Sequence, residues 1–146
     1  MWKTENWFTS PWNYDSAVKS NLHFAEKIRL HDVTLRDGEQ QAGVVFNHDD
    51  KLAIAEKLAE LGVHRIEAGM PAVSQSDAKA VQDIVKRNFG PQIFAFARCM
   101  KNDIDWAVDS GVSGIVIEIP SSKHFIEKAY KWSLEKAIEL SVESTR

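Results

Sequence analysis

From residue 28 onward the chain alternates short apolar runs with amphipathic ones, strand-like and then helix-like, four times over. "IRLHDVTL" reads as a strand and "NHDDKLAIAEKLAELG" as the helix that follows it. Asn47 suits a helix cap, Asp49 and Asp50 suit the positive first turn, and Gly62 suits the stop. Leu52, Ala55, Leu58 and Ala59 fall on one face. "VHRIEAG" is a second strand, and the next helix runs near Ser74 to Asn88, with Ser74 and Asp77 spaced like a capping box. Gly90-Pro91 breaks the chain before a third strand, "QIFAFAR". "NDIDWAVDSG" predicts a short helix capped by Asn102 and closed by Gly111, and "SGIVIEIP" a fourth strand. Residues from about Phe125 predict one long helix carrying Ala129, Trp132, Leu134, Ala137 and Leu140.

Repeated strand-helix units imply parallel strands joined by right-handed crossovers. A (β/α)8 barrel and an open doubly wound sheet both have this grammar. Four units are half of a barrel, which takes roughly 250 residues. The expected fold is therefore α/β: the N-terminal half of a (β/α)8 TIM barrel at 28–146, truncated at its C-terminus, behind an aromatic-rich N-terminal arm at 1–27. Exposed apolar strand edges are something natural proteins avoid, so truncation is expected and a self-contained open sheet is the competing explanation. The arm's "WFTSPWNY" carries too many aromatics for an idle tail and is expected to pack on the domain or on a partner subunit.

Composition narrows the class. Hydrophobic residues at 44% and charged ones at 27% are globular values. A net charge of −3 gives no pull towards nucleic acid or anionic membranes. The single cysteine, Cys99, excludes an intrachain disulfide framework and fits a reducing cytoplasm. No apolar run approaches the ~20 residues of a membrane span. The start lacks the basic and apolar regions of a secretory signal, so a soluble cytoplasmic protein is expected.

The chemistry concentrates in "LHDVTLRDGEQQAG", where an apolar strand turns abruptly into Arg36-Asp37-Gly38-Glu39. Strand alternation places Asp32, Thr34 and Arg36 on one face and His31, Val33 and Leu35 on the other. Asp37 falls at the carboxyl end, where α/β sheets and barrels place their sites. A carboxylate there can hold a hard divalent cation, and a guanidinium beside it can hold a carboxylate or an enolate oxygen. An Arg-Asp surface pair in a turn is the plainer reading of "RDG" by itself. Glu67 tips the balance, because a charge inside an apolar parallel strand is costly unless paired, and Arg36 on the neighbouring strand can pair with it. Arg98 and "EIPSS" (118–122) end the third and fourth strands in equivalent places, which points to one shared rim. Cys99 reads as a small buried residue, Trp106 and Trp132 as core, and no glycine-rich phosphate loop is present.

"DVTLRDGEQQAGVVF", "GVHRIEAGMPAVSQSD", "FAR" and "IVIEIPSSKH", in this order and spacing over about residues 28–124, resemble the metal-dependent acyltransferase and lyase superfamily. It contains the 2-isopropylmalate, homocitrate and citramalate synthases, hydroxymethylglutaryl-CoA lyase and 4-hydroxy-2-oxovalerate aldolase. The resemblance implies a Claisen-type condensation of acetyl-CoA with a small 2-oxoacid, a divalent metal (Mg, Mn or Zn) and a homodimeric parent in amino-acid biosynthesis. By motif, Arg36 would bind the oxoacid and stabilise the enolate, Asp37 would be a metal ligand, and Glu67 would order the arginine. Arg98, Ser121, Ser122 and His124 match positions near the substrate. The family's His-x-His metal pair has no counterpart among His23, His31, His48, His64 and His124. The chain by itself is accordingly expected to bind metal weakly and to be inactive. Two alternatives are carbon-carbon cleavage of the lyase or aldolase kind and a non-catalytic half-barrel that binds a partner. "DVTLRDG" is shared with the aldolases, while the continuation through Glu39 and Gln40 leans to the synthases.

Overall fold

The computed structural model of the chain describes residues 3–146. Its centre is a four-stranded sheet of β1 (His31–Asp32), β2 (Arg65–Glu67), β3 (Gln92–Arg98) and β4 (Gly114–Glu118), in the spatial order β1-β2-β3-β4. All three pairings are parallel. A doubly wound sheet reverses its order at a switch point, and this one does not. Strictly sequential parallel order is the progression of a partial TIM barrel.

The crossovers between strands are α2 (His48–Leu61), α3 (Gln75–Arg87) and α4 (Lys101–Asp109); a short α1 (Ser16–Lys19) precedes the sheet. Asn47 caps α2 in a full capping box with Asp50, and Gly62 closes it at φ 86°, a left-handed conformation that glycine adopts without strain. Ser74 caps α3 by accepting the Asp77 amide. Asn102, the expected cap of α4, lies inside the helix instead; Met100 occupies the cap position and makes no side-chain bond there. Leu35, Ile66, Val81 and Ile84 form the heart of the core beneath α2 and α3.

Register separates the two faces of the sheet. Ile66 pairs beside Ile93 and faces the helices, whereas Glu67 pairs beside Phe94 on the opposite face. That second face, the side a closed barrel turns inward, continues through Phe96, Arg98, Val116 and Glu118. A Cβ on Gly114 would collide with the Phe94 ring, so the ring packs directly against the backbone of the neighbouring strand.

Two expected elements are reshaped. The first strand is only two residues long, because Thr34–Gly38 winds into a wide π-type turn. The Asp32 carboxylate accepts the Thr34 amide at 2.9 Å, and the amides of Arg36, Asp37 and Gly38 all converge on the Val33 carbonyl. The long terminal helix is also broken. A short α5 (Lys123–Phe125) passes into a π-type turn (Ile126–Tyr130), Lys131 takes φ 59°, and Ser133 caps a fresh helix, α6 (Leu134–Ser144). Local capping by Ser133 wins over the continuous apolar periodicity. Trp106 is 41% exposed and so is not a core residue, and Trp132 is only half-buried.

The first two residues of the expected arm lie outside the described residues. None of residues 3–30 is buried, so the arm's aromatics do not pack into the domain core; Trp12 and Phe24 are largely exposed. Leu30 joins arm to sheet through its carbonyl, which accepts the amides of His64 and Arg65.

Helices α2 and α3 are tied at the surface by His48, whose ring nitrogens lie 3.1 Å from Asp49 and 3.0 Å from Asp83. Hydrogen bonds to Asp49 and then Asp83 raise the His48 pKa above its ordinary 6.5. Bonds from Lys79 and His48 lower Asp83 from 3.8 to about 2. A raised histidine stabilises fully below pH 6.5 and stops doing so as the pH climbs through its folded pKa. The lowered aspartate stabilises above pH 3.8 and stops doing so as the pH falls towards 2. Thermal melts across pH 6–8 are therefore expected to show a small decline in Tm that His48→Gln flattens. An equal decline in the variant would show that His48 is not its source.

Candidate active site

Glu67 ends β2 with its carboxyl group buried, only 2% exposed. Burial without partners would be prohibitive, and the structure supplies two. Arg36 Nε donates to Oε1, and His31 Nε2 lies 3.2 Å from Oε2, where a protonated Nε2 donates. The Arg36 guanidinium also stacks 4.7 Å above the Phe96 ring, and its Nη1 donates to Asp37 Oδ1 at 2.8 Å. One guanidinium is thus fixed by a buried carboxylate at one edge, an exposed carboxylate at another, and an aromatic face below. Among the described residues no hydrogen bond or ion pair engages its Nη2.

The π-type turn produces this arrangement. In a continued strand Arg36 and His31 would point to opposite faces; winding from Thr34 brings Arg36 round to the face that His31 and Glu67 share. It also buries Leu35 completely, which anchors the turn in the core. Arg36 opens onto a cavity of about 240 Å³ at the carboxyl ends of β1 and β2, lined also by Gln40, Gly69 and Met70. A free guanidinium edge there can grip a carboxylate or a developing oxyanion.

A second ion cluster holds the same turn from behind. Lys51 is 3% exposed, and its ammonium lies 2.8 Å from Glu39 and 2.5 Å from Asp77. Glu39 also accepts the Phe46 amide at 3.2 Å, so the stretch after Gly38 is pinned to α2 and to the start of α3. Neither His31, Phe96 nor Lys51 stood out in the sequence as a site residue. Lys51 alone left a signal: with Ala55 and Leu58 it sits at helical spacing on the buried stripe of α2, where a lysine needs an anion.

The remaining candidates do not join Arg36. Arg98 donates through Nε (2.7 Å) and Nη2 (3.0 Å) to Asp103, and it lines a different cavity. Ser122 accepts the Phe125 amide at 3.4 Å as the cap of α5, and Ser121 and His124 are exposed. Arg36 and Arg98 thus line different cavities at the strand ends.

Asp37 is 64% exposed at its side chain and already bonded to Arg36. Among the described residues no three His, Cys, Asp or Glu side chains lie together so as to hold a metal ion. A single carboxylate does not make a site for a hard cation, so this chain's residues by themselves do not fit one.

The model of the family described as HMGL-like matches residues 27–146, which includes every strand of the sheet and the whole Arg36–Glu67 arrangement. The chain belongs to the HMGL-like family. Its relatives include the homocitrate synthase AksA of Methanothermobacter thermautotrophicus, 37% identical over 138 residues, 94% of this chain and 34% of that protein. A probable 2-isopropylmalate synthase of Ignicoccus hospitalis is 44% identical over 82% of this chain and 30% of its own length. A putative (R)-citramalate synthase CimA of Methanopyrus kandleri is 37% identical over 78% of this chain and 22% of its own. This HMGL-like chain thus spans about a third or less of the curated relatives it matches. Among solved structures, the HMG-CoA lyase of Bacillus subtilis superposes with a TM-score of 0.69 at 18% identity, over 85% of this chain and 43% of that one. At that identity the likeness speaks for the fold. No helix among the described residues is long and apolar enough to cross a membrane.

Proposed function

We propose that this chain forms the first half of a catalytic barrel that condenses acetyl-CoA with a 2-oxoacid, after the manner of the homocitrate, isopropylmalate and citramalate synthases. The proposal also keeps residues 1–27 as an arm and 28–146 as the barrel portion. One observation carries it: a buried glutamate holds an arginine at the carboxyl ends of β1 and β2 with a free donor edge on a cavity. Relatives at 37–44% identity are named as synthases, whereas the lyase shares the fold at 18%, which favours condensation over cleavage.

In this reaction the methyl carbon of the acetyl thioester gives up a proton to a base, and the resulting enolate carbon bonds to the keto carbon of the oxoacid. The keto oxygen becomes an alkoxide and takes a proton, and hydrolysis of the thioester releases the CoA thiol. Arg36 is the group that would grip the oxoacid and offset negative charge on the enolate and alkoxide oxygens. Glu67 would keep the guanidinium aimed. Asp37 would offer a divalent ion one ligand, and no step here depends on it. Arg98, Ser121, Ser122 and His124 are kept as candidate substrate contacts and receive no step, since Arg98 lines a different cavity from Arg36.

The test is an incubation of the full-length gene product with acetyl-CoA and a panel of 2-oxoacids, followed by a thiol reagent. Thiol release that depends on an oxoacid is the expected result. Silence with every oxoacid would overturn the synthase reading.

A further inference from the structure

Lys51 does not line the Arg36 cavity, but both of its partners do. Glu39 closes the π-type turn that carries Arg36, and Asp77 lies in the first turn of α3. The ammonium lies 2.8 Å from Glu39 Oε2 and 2.5 Å from Asp77 Oδ1. The second oxygen of each carboxylate is engaged as well. Glu39 Oε1 accepts the Phe46 amide at 3.2 Å, and Asp77 Oδ2 accepts the Ser74 hydroxyl at 2.6 Å. One cation therefore ties together two stretches that wall the cavity, the one after Gly38 and the one that opens α3. Its burial comes from α2, α3 and the stretch after β1, all of them in place, and owes nothing to the free edge at β4.

Three desolvated charges are a weak device for holding helices together, since apolar side chains of similar volume do that as well or better. Directed bonds add placement. The Thr34–Gly38 turn has its start fixed by Asp32, which accepts the Thr34 amide and hydroxyl, and by Leu35 in the core. Its far end is fixed by Glu39, and Glu39 by Lys51. Arg36 lies between these two anchors. A displacement of about 1 Å in a group that meets the substrate can cost on the order of a hundredfold in rate.

We propose that Lys51 is a positioning residue for Arg36: it sets the turn against the start of α3 and so fixes where the free guanidinium edge meets the cavity. Lys51 itself touches no substrate and carries no step. Its effect on kinetics presupposes the condensation reading, whereas its effect on the turn does not.

Lys51→Met combined with Glu39→Gln and Asp77→Asn removes the clamp without leaving an unpaired buried charge. In the full-length gene product, hydrogen exchange read by mass spectrometry is expected to show the amides of 34–46 exchanging about tenfold or more faster, with those of 52–61 unchanged. KM for the 2-oxoacid should rise about tenfold or more while KM for acetyl-CoA stays in place. A variant that is merely less folded lowers kcat and moves neither KM. Glu39→Gln by itself leaves Lys51 paired with Asp77, should move both readouts in the same direction, and decides the matter if the triple variant folds poorly. Unchanged exchange over 34–46 overturns the proposal, whether or not any oxoacid supports thiol release. Faster exchange in a gene product silent towards every oxoacid upholds the clamp on the turn and strikes the condensation reading alone. Faster exchange with an unmoved oxoacid KM in active protein overturns the proposal and makes Lys51 a purely structural lysine.

Discussion

Lys51→Met is expected to destabilise the domain by about 3–5 kcal/mol, the usual cost of leaving buried charges without their partner. The lysine is 3% exposed between Glu39 and Asp77. Burial pulls its pKa down, but the Asp77 and Glu39 hydrogen bonds outweigh that and leave it raised, so the ammonium stays charged at any ordinary pH. Asp77 responds in kind: burial pushes it up, and bonds from Lys51 and Ser74 bring it below 3.8. Methionine matches the lysine stem but leaves two carboxylates facing each other across an apolar gap. Each carboxylate is 24% exposed, so water softens the penalty and favours the lower end of that range. Urea unfolding would show the midpoint falling with little change in slope. Adding Glu39→Gln and Asp77→Asn to Lys51→Met should recover most of the loss, because the repulsion goes with the charges. A loss under about 1 kcal/mol in the single variant would place the pair among solvated surface ion pairs.

How much of this was legible in the residues divides along a physical line. Strand-helix alternation, the caps at Asn47 and Ser74 and the stop at Gly62 are local effects, each set within one turn of chain, and all appear in the structure. The Glu67–Arg36 pair was legible too, because a charge in an apolar strand demands a partner, and Arg36, just past the neighbouring strand, supplies it. The failures are competitions between local signals. Asp32 and the Val33 carbonyl gather the amides that a longer strand would have sent to β2, and Ser133 restarts a helix that apolar spacing would have continued.

The first of these failures accounts for most of what went unseen at the candidate site. Face alternation, carried past Val33, put His31 behind Arg36, although both contact Glu67. The same error hid Phe96, since a guanidinium above its ring requires the turn to bring Arg36 over β3. Arg98 was placed in one shared rim because its strand position is equivalent. Asp103, five residues on and buried in α4, takes its guanidinium instead, and no periodicity marks that contact.

Under the proposed condensation, Arg36→Lys in the full-length gene product is expected to lower kcat/KM for the 2-oxoacid by about 10²–10³-fold, the cost of losing a fixed donor to a developing oxyanion. Lysine keeps the charge but not the fork. It cannot bond Glu67 and Asp37 in one plane while presenting a further donor to the cavity, nor lie flat on Phe96. Glu67→Gln tests the other half of the pair. Glutamine keeps an acceptor for Nε and loses the charge, so the loss should match one charged hydrogen bond, about 1.5–3 kcal/mol, or roughly 10- to 150-fold. KM for acetyl-CoA should move little in either variant if the arginine's principal partner is the oxoacid. The double variant should cost no more than Arg36→Lys alone, because a glutamate that acts only by aiming the guanidinium has nothing left to aim. Additive losses would instead give Glu67 a contact of its own with substrate. Retention of more than about a tenth of kcat/KM in Arg36→Lys would move the transition-state contact away from this arginine altogether.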